Sequence, residues 1–250
     1  WDGTATSNDR VFSVTTADFL IFQNRILVID HGDFLHVNNV NVTQLADGSM
    51  HMICTVLVDP SSNDKPAYFS SLDGISWNGI PEPYPSKLSD VVSVANDPNY
   101  AGWDFNGGNV LLWDAKSWTF YYSVGTYGGI GQVYRATATS PPAFQKTGVA
   151  LNTPHYSNDV KKFMVGRQNW YLMALYIERV VPDPTPPAFT FALSNDGSTF
   201  GPEQTLFSAA SASDTFLMTP SVVTQGSSVL GVLYGANATD LLAATSQIFA

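Results

Sequence analysis

Ser71-Leu72-Asp73-Gly74-Ile75-Ser76-Trp77 and Ser194-Asn195-Asp196-Gly197-Ser198-Thr199-Phe200 are two copies of one pattern, Ser-x-Asp-Gly-x-x-aromatic. Each follows a short apolar run, at 67–70 and 189–193. The physical logic is a hairpin. Asp-Gly supplies the positive φ of a tight turn, and the Ser and Asp side chains bond back onto the turn's own amides. The aromatic then anchors the returning strand on a core. A repeated hairpin implies a repeated sheet, and repeated sheets in one chain point to a propeller.

Working outward, a strand, a turn and a second, strongly apolar strand recur four times. They lie at 39–45 and 50–58, at 109–113 and 118–124, at 161–165 and 170–177, and at 221–224 and 229–234. The turn centres Gly48, Ala115, Gly166 and Gly226 are 67, 51 and 60 residues apart, intervals that suit a four-stranded blade. Third strands follow at 65–71, 132–139 and 188–193; in the middle repeat Ser140-Pro141-Pro142 replaces the Asp-Gly turn and Phe144 keeps the aromatic. Helical periodicity is nowhere sustained. The N-terminal runs 11–15, 19–22 and 26–29 are too compressed for a full blade, but joined with 241–250 they make a fifth. The expectation is an all-β chain with one domain over 1–250. It is a five-bladed β-propeller of four-stranded antiparallel blades, the last closed by strands from both termini, which removes exposed sheet edges.

Composition narrows the function. The chain has 250 residues, 44% of them hydrophobic, enough for a well-filled core. Net charge is −10 with only 11 Lys and Arg, and the densest basic run is Lys161-Lys162. A nucleic-acid binder needs a basic face to displace counterions, so nucleic acid and anionic membranes are excluded as partners. No apolar stretch reaches the ~18 residues of a membrane span, and no membrane insertion is expected. The single cysteine, Cys54, lies in the apolar run 50–58 and reads as a small buried hydrophobe; an intrachain disulfide and a thiolate metal cluster are excluded. No metal or cofactor is expected. Only 13% of residues are charged, so the surface must be Ser, Thr, Asn, Gly and backbone. Such a surface suits an extracellular or secreted protein that meets neutral polar ligands such as sugars. The opening Trp1 reads as the start of a processed piece.

In a propeller, the residues just before each inner strand ring one mouth of the central channel. These are His36, Asn38 and Asn39; then Trp103, Asp104 and Asn106; then His155, Asn158 and Asp159; then Thr219. The ends of second strands add Tyr127 and Glu178. Amides, carboxylates and aromatic rings converging on a concave mouth are what a carbohydrate ligand needs: hydroxyls take bonds from Asn and Asp, and the C–H face of the ring stacks on Trp or Tyr. No metalloprotease, serine-hydrolase, P-loop or dinucleotide motif occurs, and the glycine-rich stretch 125–131 lies between two strands, not before a helix.

On these blade repeats the chain resembles the five-bladed propeller glycoside hydrolases of the family 43 type and their relatives. The resemblance implies an Asp general base, a second Asp that tunes pKa and holds the sugar, and a Glu general acid, all at the starts of inner strands. Ser157-Asn158-Asp159-Val160 matches the second Asp. The base position holds Asn38 or Asn39, and Met218-Thr219-Pro220 stands where the acid would precede a proline. Two of the three carboxylates are therefore absent, below the minimum for the usual inverting chemistry. Three readings stay open: glycan recognition at the channel mouth; hydrolysis by a rearranged set of Asp159, Asp104 and Glu178; and a structural or adhesion propeller of a surface or viral attachment assembly. Oligomeric state is left open.

Overall fold

The computed structural model describes residues 10–30, 34–57, 63–78, 91–105, 108–123, 131–176, 188–208, 216–237 and 247–249. Among them lie seventeen strands in five sheets, and a 3₁₀ turn at Tyr100–Gly102. Strands β1 (Val11–Thr15) and β2 (Gln23–Ile29) form an antiparallel pair. Next come β3 (His36–Gln44), β4 (Met50–Leu57) and β5 (Asp64–Ser71), an antiparallel sheet. The third sheet holds β6 (Ser93–Ala95), β7 (Asn109–Trp113), β8 (Trp118–Ser123), β9 (Gln132–Ala138) and β10 (Ala143–Asn152). Its order is β6-β10-β9-β8-β7, with β6 parallel to β10. The fourth runs in chain order through β11 (Tyr156–Val165), β12 (Gln168–Tyr176), β13 (Ala188–Ser194) and β14 (Gln204–Ser208), all antiparallel. The last is β15 (Phe216–Gln225), β16 (Ser228–Asn237) and β17 (Gln247–Phe249). Among the described residues, no helix is long and apolar enough to cross a membrane.

The expected strand pairs are present, each joined at its expected turn. Three features differ. The C-terminal strand β17 pairs with β16, Tyr234 opposite Phe249, and among the described residues it does not pair with β1 or β2. A strand added to its sequence neighbour closes a short loop, which costs far less chain entropy than pairing across the whole sequence. Residues 19–22 are not a strand. Asp18 Oδ1 accepts the N–H groups of Leu20 and Ile21, both at 2.9 Å, and Thr16 Oγ1 accepts that of Phe19, also at 2.9 Å. This side-chain-held turn outcompetes extension of the apolar run. Four strands were expected in every sheet; among the described residues the sheets hold two, three, five, four and three.

The chain divides into two compact units, one of Trp1–Phe120 with Ala136–Lys146, the other of Tyr121–Arg135 with Thr147–Ala250. The core of the first joins Val11, Val28, Ile29 and Phe34 to Val37, Met52, Cys54, Val56, Phe69 and Trp77. The alternation of a half-buried strand is visible in β5, where Ala67, Phe69 and Ser71 are buried and Tyr68 and Ser70 less so. The core of the second unit sets Phe189 edge-on to Phe207 and Tyr234, with ring centroids 5.1 and 5.3 Å away, beside Tyr156, Tyr176 and Leu217.

The two Ser-x-Asp-Gly turns match atom for atom. Ser71 Oγ accepts the Gly74 N–H at 2.9 Å, and Asp73 Oδ1 accepts those of Ile75 and Ser76 at 2.8 and 2.7 Å. Ser194 Oγ accepts the Gly197 N–H at 3.0 Å, and Asp196 Oδ1 those of Ser198 and Thr199 at 2.7 and 3.2 Å. The match runs past the turn, for Asn78 N–H bonds Ser70 O as Gly201 N–H bonds Leu193 O. Gly74 and Gly197 have φ of 73° and 69°, the left-handed region that side chains resist. Trp77, Phe144 and Phe200 are all buried, as expected. Truncating any one of them to Ala should cost about 3–5 kcal/mol.

Candidate functional site

The first strands of three sheets are interrupted by bulges. In β3 the pairing with β4 slips between Asn38 and Asn41, in β11 the pairing with β12 slips between Ser157 and Asp159, and in β15 it slips between Met218 and Ser221. Five of the sequence-derived site residues, Asn38, Asn39, Asn158, Asp159 and Thr219, stand at these slips. Asn39 and Thr219 both have φ of 50°. An asparagine tolerates that conformation; a β-branched threonine ahead of a proline is held there at a cost of about 1–3 kcal/mol. Bulges of this kind re-aim side chains away from the regular ladder.

In the first unit one end of β3, β4 and β5 gathers three residues, with His36 opposite Leu57 and Leu57 opposite Asp64. His36 Nε2 lies 2.9 Å from Asp64 Oδ1, and both side chains are largely buried. Asp64 N–H in turn donates to Asp104 Oδ1 at 3.1 Å. Burial, then the neighbouring Asp64 charge, pushes the Asp104 carboxyl above its ordinary range, against the pull of the Asp64 amide and Lys65. Lys65 Nζ donates to the backbone oxygens of Ala101, at 2.8 Å, and Trp103. Burial pulls this ammonium down while Asp104 and Asp64 push it back up. Trp103 is half-buried, with the Lys146 ammonium 5.6 Å from its ring centre. Thr55, the ladder partner of Asn38, donates to Phe105 O at 3.2 Å, and Asn109 Nδ2 donates to that same oxygen at 3.2 Å. Asn38, Asn39, Trp103 and Asp104 are thus drawn to one end of one unit, around His36, Asp64 and Lys65.

In the second unit the bulges of β11 and β15 are bonded together. Asn158 Nδ2 donates to Pro220 O at 3.1 Å. Asp159 is 1% exposed; its Oδ2 accepts the Val222 N–H at 2.7 Å and its Oδ1 lies 3.1 Å from Lys161 Nζ. Asn41 plays the same part in the first unit, its Oδ1 accepting the Leu111 N–H at 3.0 Å. Asp159 therefore ties neighbouring inner strands. His155 Nδ1 is 2.6 Å from Glu203 Oε2, which also accepts the Thr190 hydroxyl at 2.6 Å. Burial pushes the Glu203 carboxyl up, but hydrogen bonds from His155, Thr153 and Thr190 outweigh it and leave it below the usual range. Asn106, Tyr127 and Glu178 lie outside the described residues.

Asp64 and Glu203 escaped the reading of the sequence. The signal for Asp64 was available: in an antiparallel sheet the third strand starts at the end where the first strand starts, so the residue opening β5 shares that end with His36. Glu203 meets His155 only through tertiary packing, and no local pattern announces it.

No protein-family model matches the sequence, and no curated protein sequence matches it. Solved structures do. The fold is similar to that of BT0996 in its RGII complex at 14% identity, with a TM-score of 0.65 over 97% of this protein and 79% of that one. It is similar to the sucrose-6-phosphate hydrolase from Lactobacillus gasseri at 14% identity and a TM-score of 0.56, covering 82% of this protein and 41% of that one. A thermostable family-43 glycoside hydrolase matches at 12% identity and a TM-score of 0.50, covering 80% of this protein and 64% of the hydrolase. The sequence spans less than two thirds of the length of both hydrolases. At such identities the likeness is one of fold: an all-β protein whose five sheets resemble glycoside-hydrolase propellers.

Proposed function

We propose that the chain is a single-domain, five-bladed β-propeller that recognises a glycan through residues at the starts of its inner strands. The observation that carries this reading is the array around Asp104 in the first unit. Asn38, Asn39 and Asp104 supply acceptors and donors for hydroxyls, Trp103 supplies a ring face, and the His36–Asp64 pair fixes the floor. The same ligand-binding role is proposed for His155, Asn158 and Thr219 in the second unit, and for Asn106 and Tyr127. Two of the three neighbours are sugar hydrolases by name, and the small share of charged residues, 13%, suits a neutral polar ligand outside the cell. A glycan array should return hits whose affinity, measured by calorimetry, falls tenfold or more in Trp103→Ala and Asp104→Asn. An array without hits, or hits indifferent to both variants, refutes the reading.

One observation favours hydrolysis instead. Burial and the neighbouring Asp64 charge push the Asp104 carboxyl up, as a general acid requires, and Asp64 is a second carboxyl beside it. Asp159, held by Val222 and Lys161, then positions its strand, and Glu178 supplies a further carboxyl. On that reading the wild type releases reducing ends from a bound glycan, with a pH optimum set by two carboxyl groups. Asp104→Asn or Glu178→Gln then lowers turnover far more than binding. A bound glycan left intact from pH 4 to 8 sinks it.

A further inference from the structure

The opposite end of the β3-β4-β5 sheet carries a second cleft, of about 590 Å³, within the size range of small-ligand sites. Gln44, Met50 and Ser71 stand level there, seven ladder steps or about 23 Å from the end that holds His36 and Asp64. Its lining includes Trp118, His51, Ser49, Ser76, Asp47 and Asp73.

The floor of the cleft is aromatic: Trp118, 5% exposed, is packed between His51 and Trp113. The Trp118 ring lies 4.5 Å from the centre of His51 and 5.0 Å from that of Trp113. His51 Nδ1 is 2.6 Å from the Tyr68 hydroxyl, its Nε2 is 3.2 Å from Ser49 Oγ, and Ser49 Oγ is 2.7 Å from Asp47 Oδ1. One proton order satisfies every group: Tyr68 donates to Nδ1, Nε2–H donates to Ser49, and Ser49 donates to Asp47. Burial disfavours the charged imidazole, which keeps this order in place. Asp73, also in the lining, is locked by the N–H groups of Ile75 and Ser76. A preorganised aromatic floor walled by hydroxyls and carboxylates matches the two surfaces of a sugar ring, its C–H face and its hydroxyl edge. Two carboxylates and no Lys or Arg in the lining repel acidic or phosphorylated sugars.

We infer that this cleft is a second, separate carbohydrate-binding site, specific for neutral sugars. The inference rests on the glycan reading above, yet the two can fail independently. The chain has four histidines, so a histidine-ring proton–nitrogen spectrum of the intact protein resolves the sites in one titration. His36 reports the Asp104 end and His51 reports the cleft. The probes are the methyl glycosides of glucose, galactose, mannose and xylose, with glucuronate and glucosamine as charged counterparts. The expected result is a saturable shift of His51 with at least one neutral glycoside, weakened tenfold or more by Leu72→Arg at the exposed lip; in His51→Phe, which lacks the reporter, the same loss is read by calorimetry. Leu72 is 87% exposed, so Leu72→Arg folds even where His51→Phe fails. A response of His36 alone overturns the cleft proposal and leaves the glycan reading standing. No His51 shift up to 50 mM, or a shift with glucosamine or glucuronate only, overturns it as well.

Discussion

Asp159 of β11 accepts the backbone N–H of Val222 in β15 at 2.7 Å, a carboxylate closing the donor of a neighbouring inner strand. Asn41 does the same for Leu111 with an amide oxygen. The pairing predicts that Asp159→Ala, which strands a buried donor and leaves Lys161 without this partner, costs about 1–3 kcal/mol or somewhat more. Asp159→Asn, which can reproduce the Asn41 bond, should cost less. Urea midpoints at unchanged slope test this order, and an alanine variant as stable as wild type would remove the tie from the stability account.

The two turn glycines should not be equally tolerant. Both sit at positive φ, which alone costs a side chain about 1–2 kcal/mol. A Cβ at Gly74 meets the sulfur of Met50 at 3.0 Å, the flexible end of a long side chain. At Gly197 it meets three atoms of the Tyr171 ring at 3.0–3.1 Å, and a buried ring cannot step aside. Gly197→Ala should therefore lower the melting temperature more than Gly74→Ala.

Asp104 should cost stability at neutral pH. Its folded-state pKa is raised, by burial and by Asp64, so its charged form is disfavoured in the fold. The sign follows directly: stability from this group is greatest when it is protonated, and falls as pH rises from about 3.9 through the folded value. Asp104→Asn should raise the urea midpoint at pH 7 and flatten that limb of the pH profile. A lowered midpoint would contradict the raised pKa.

Glu203 has the opposite sign. Its pKa is lowered in the fold by the bonds from His155, Thr153 and Thr190, against burial. The stability it contributes is complete above its unfolded value of about 4.3 and is lost as pH falls through the folded value. Glu203→Gln should shallow the acid limb below that point, with little change in slope near pH 7.

Cys54 is fully buried and burial pushes its thiol far up, so the native protein should not react with a disulfide reagent at pH 8. One thiol per molecule should appear on unfolding in guanidinium. Rapid native labelling would mean that the first core opens easily.

What the sequence disclosed was local. The turns at Gly48, Gly74, Gly166, Gly197 and Gly226 all have positive φ, because a tight turn is written in a few adjacent residues. Asn38, Asn39, Asn158 and Thr219 were read as positions just before inner strands; they lie inside β3, β11 and β15, where the pairing slips, because a bulge depends on the partner strand and no local pattern announces it. Partners decided by tertiary packing were not legible: Asp64 beneath His36, Glu203 beside His155, and Val222 under Asp159. The pairing of β17 was misread because its apolar residues fit any sheet edge, and loop closure selected the nearest.

The duplicated turn also gives the chain a pair of matched handles. Leu72 and Asn195 occupy the same slot of the same motif, both exposed, one in each compact unit. Neither side chain takes part in the bonds that hold its turn. Cysteines placed there would present two labels on the same turn geometry, and the shielded Cys54 need not be removed first. A spin or dye pair at these tips becomes a molecular ruler, recording any movement between the halves when a saccharide is added.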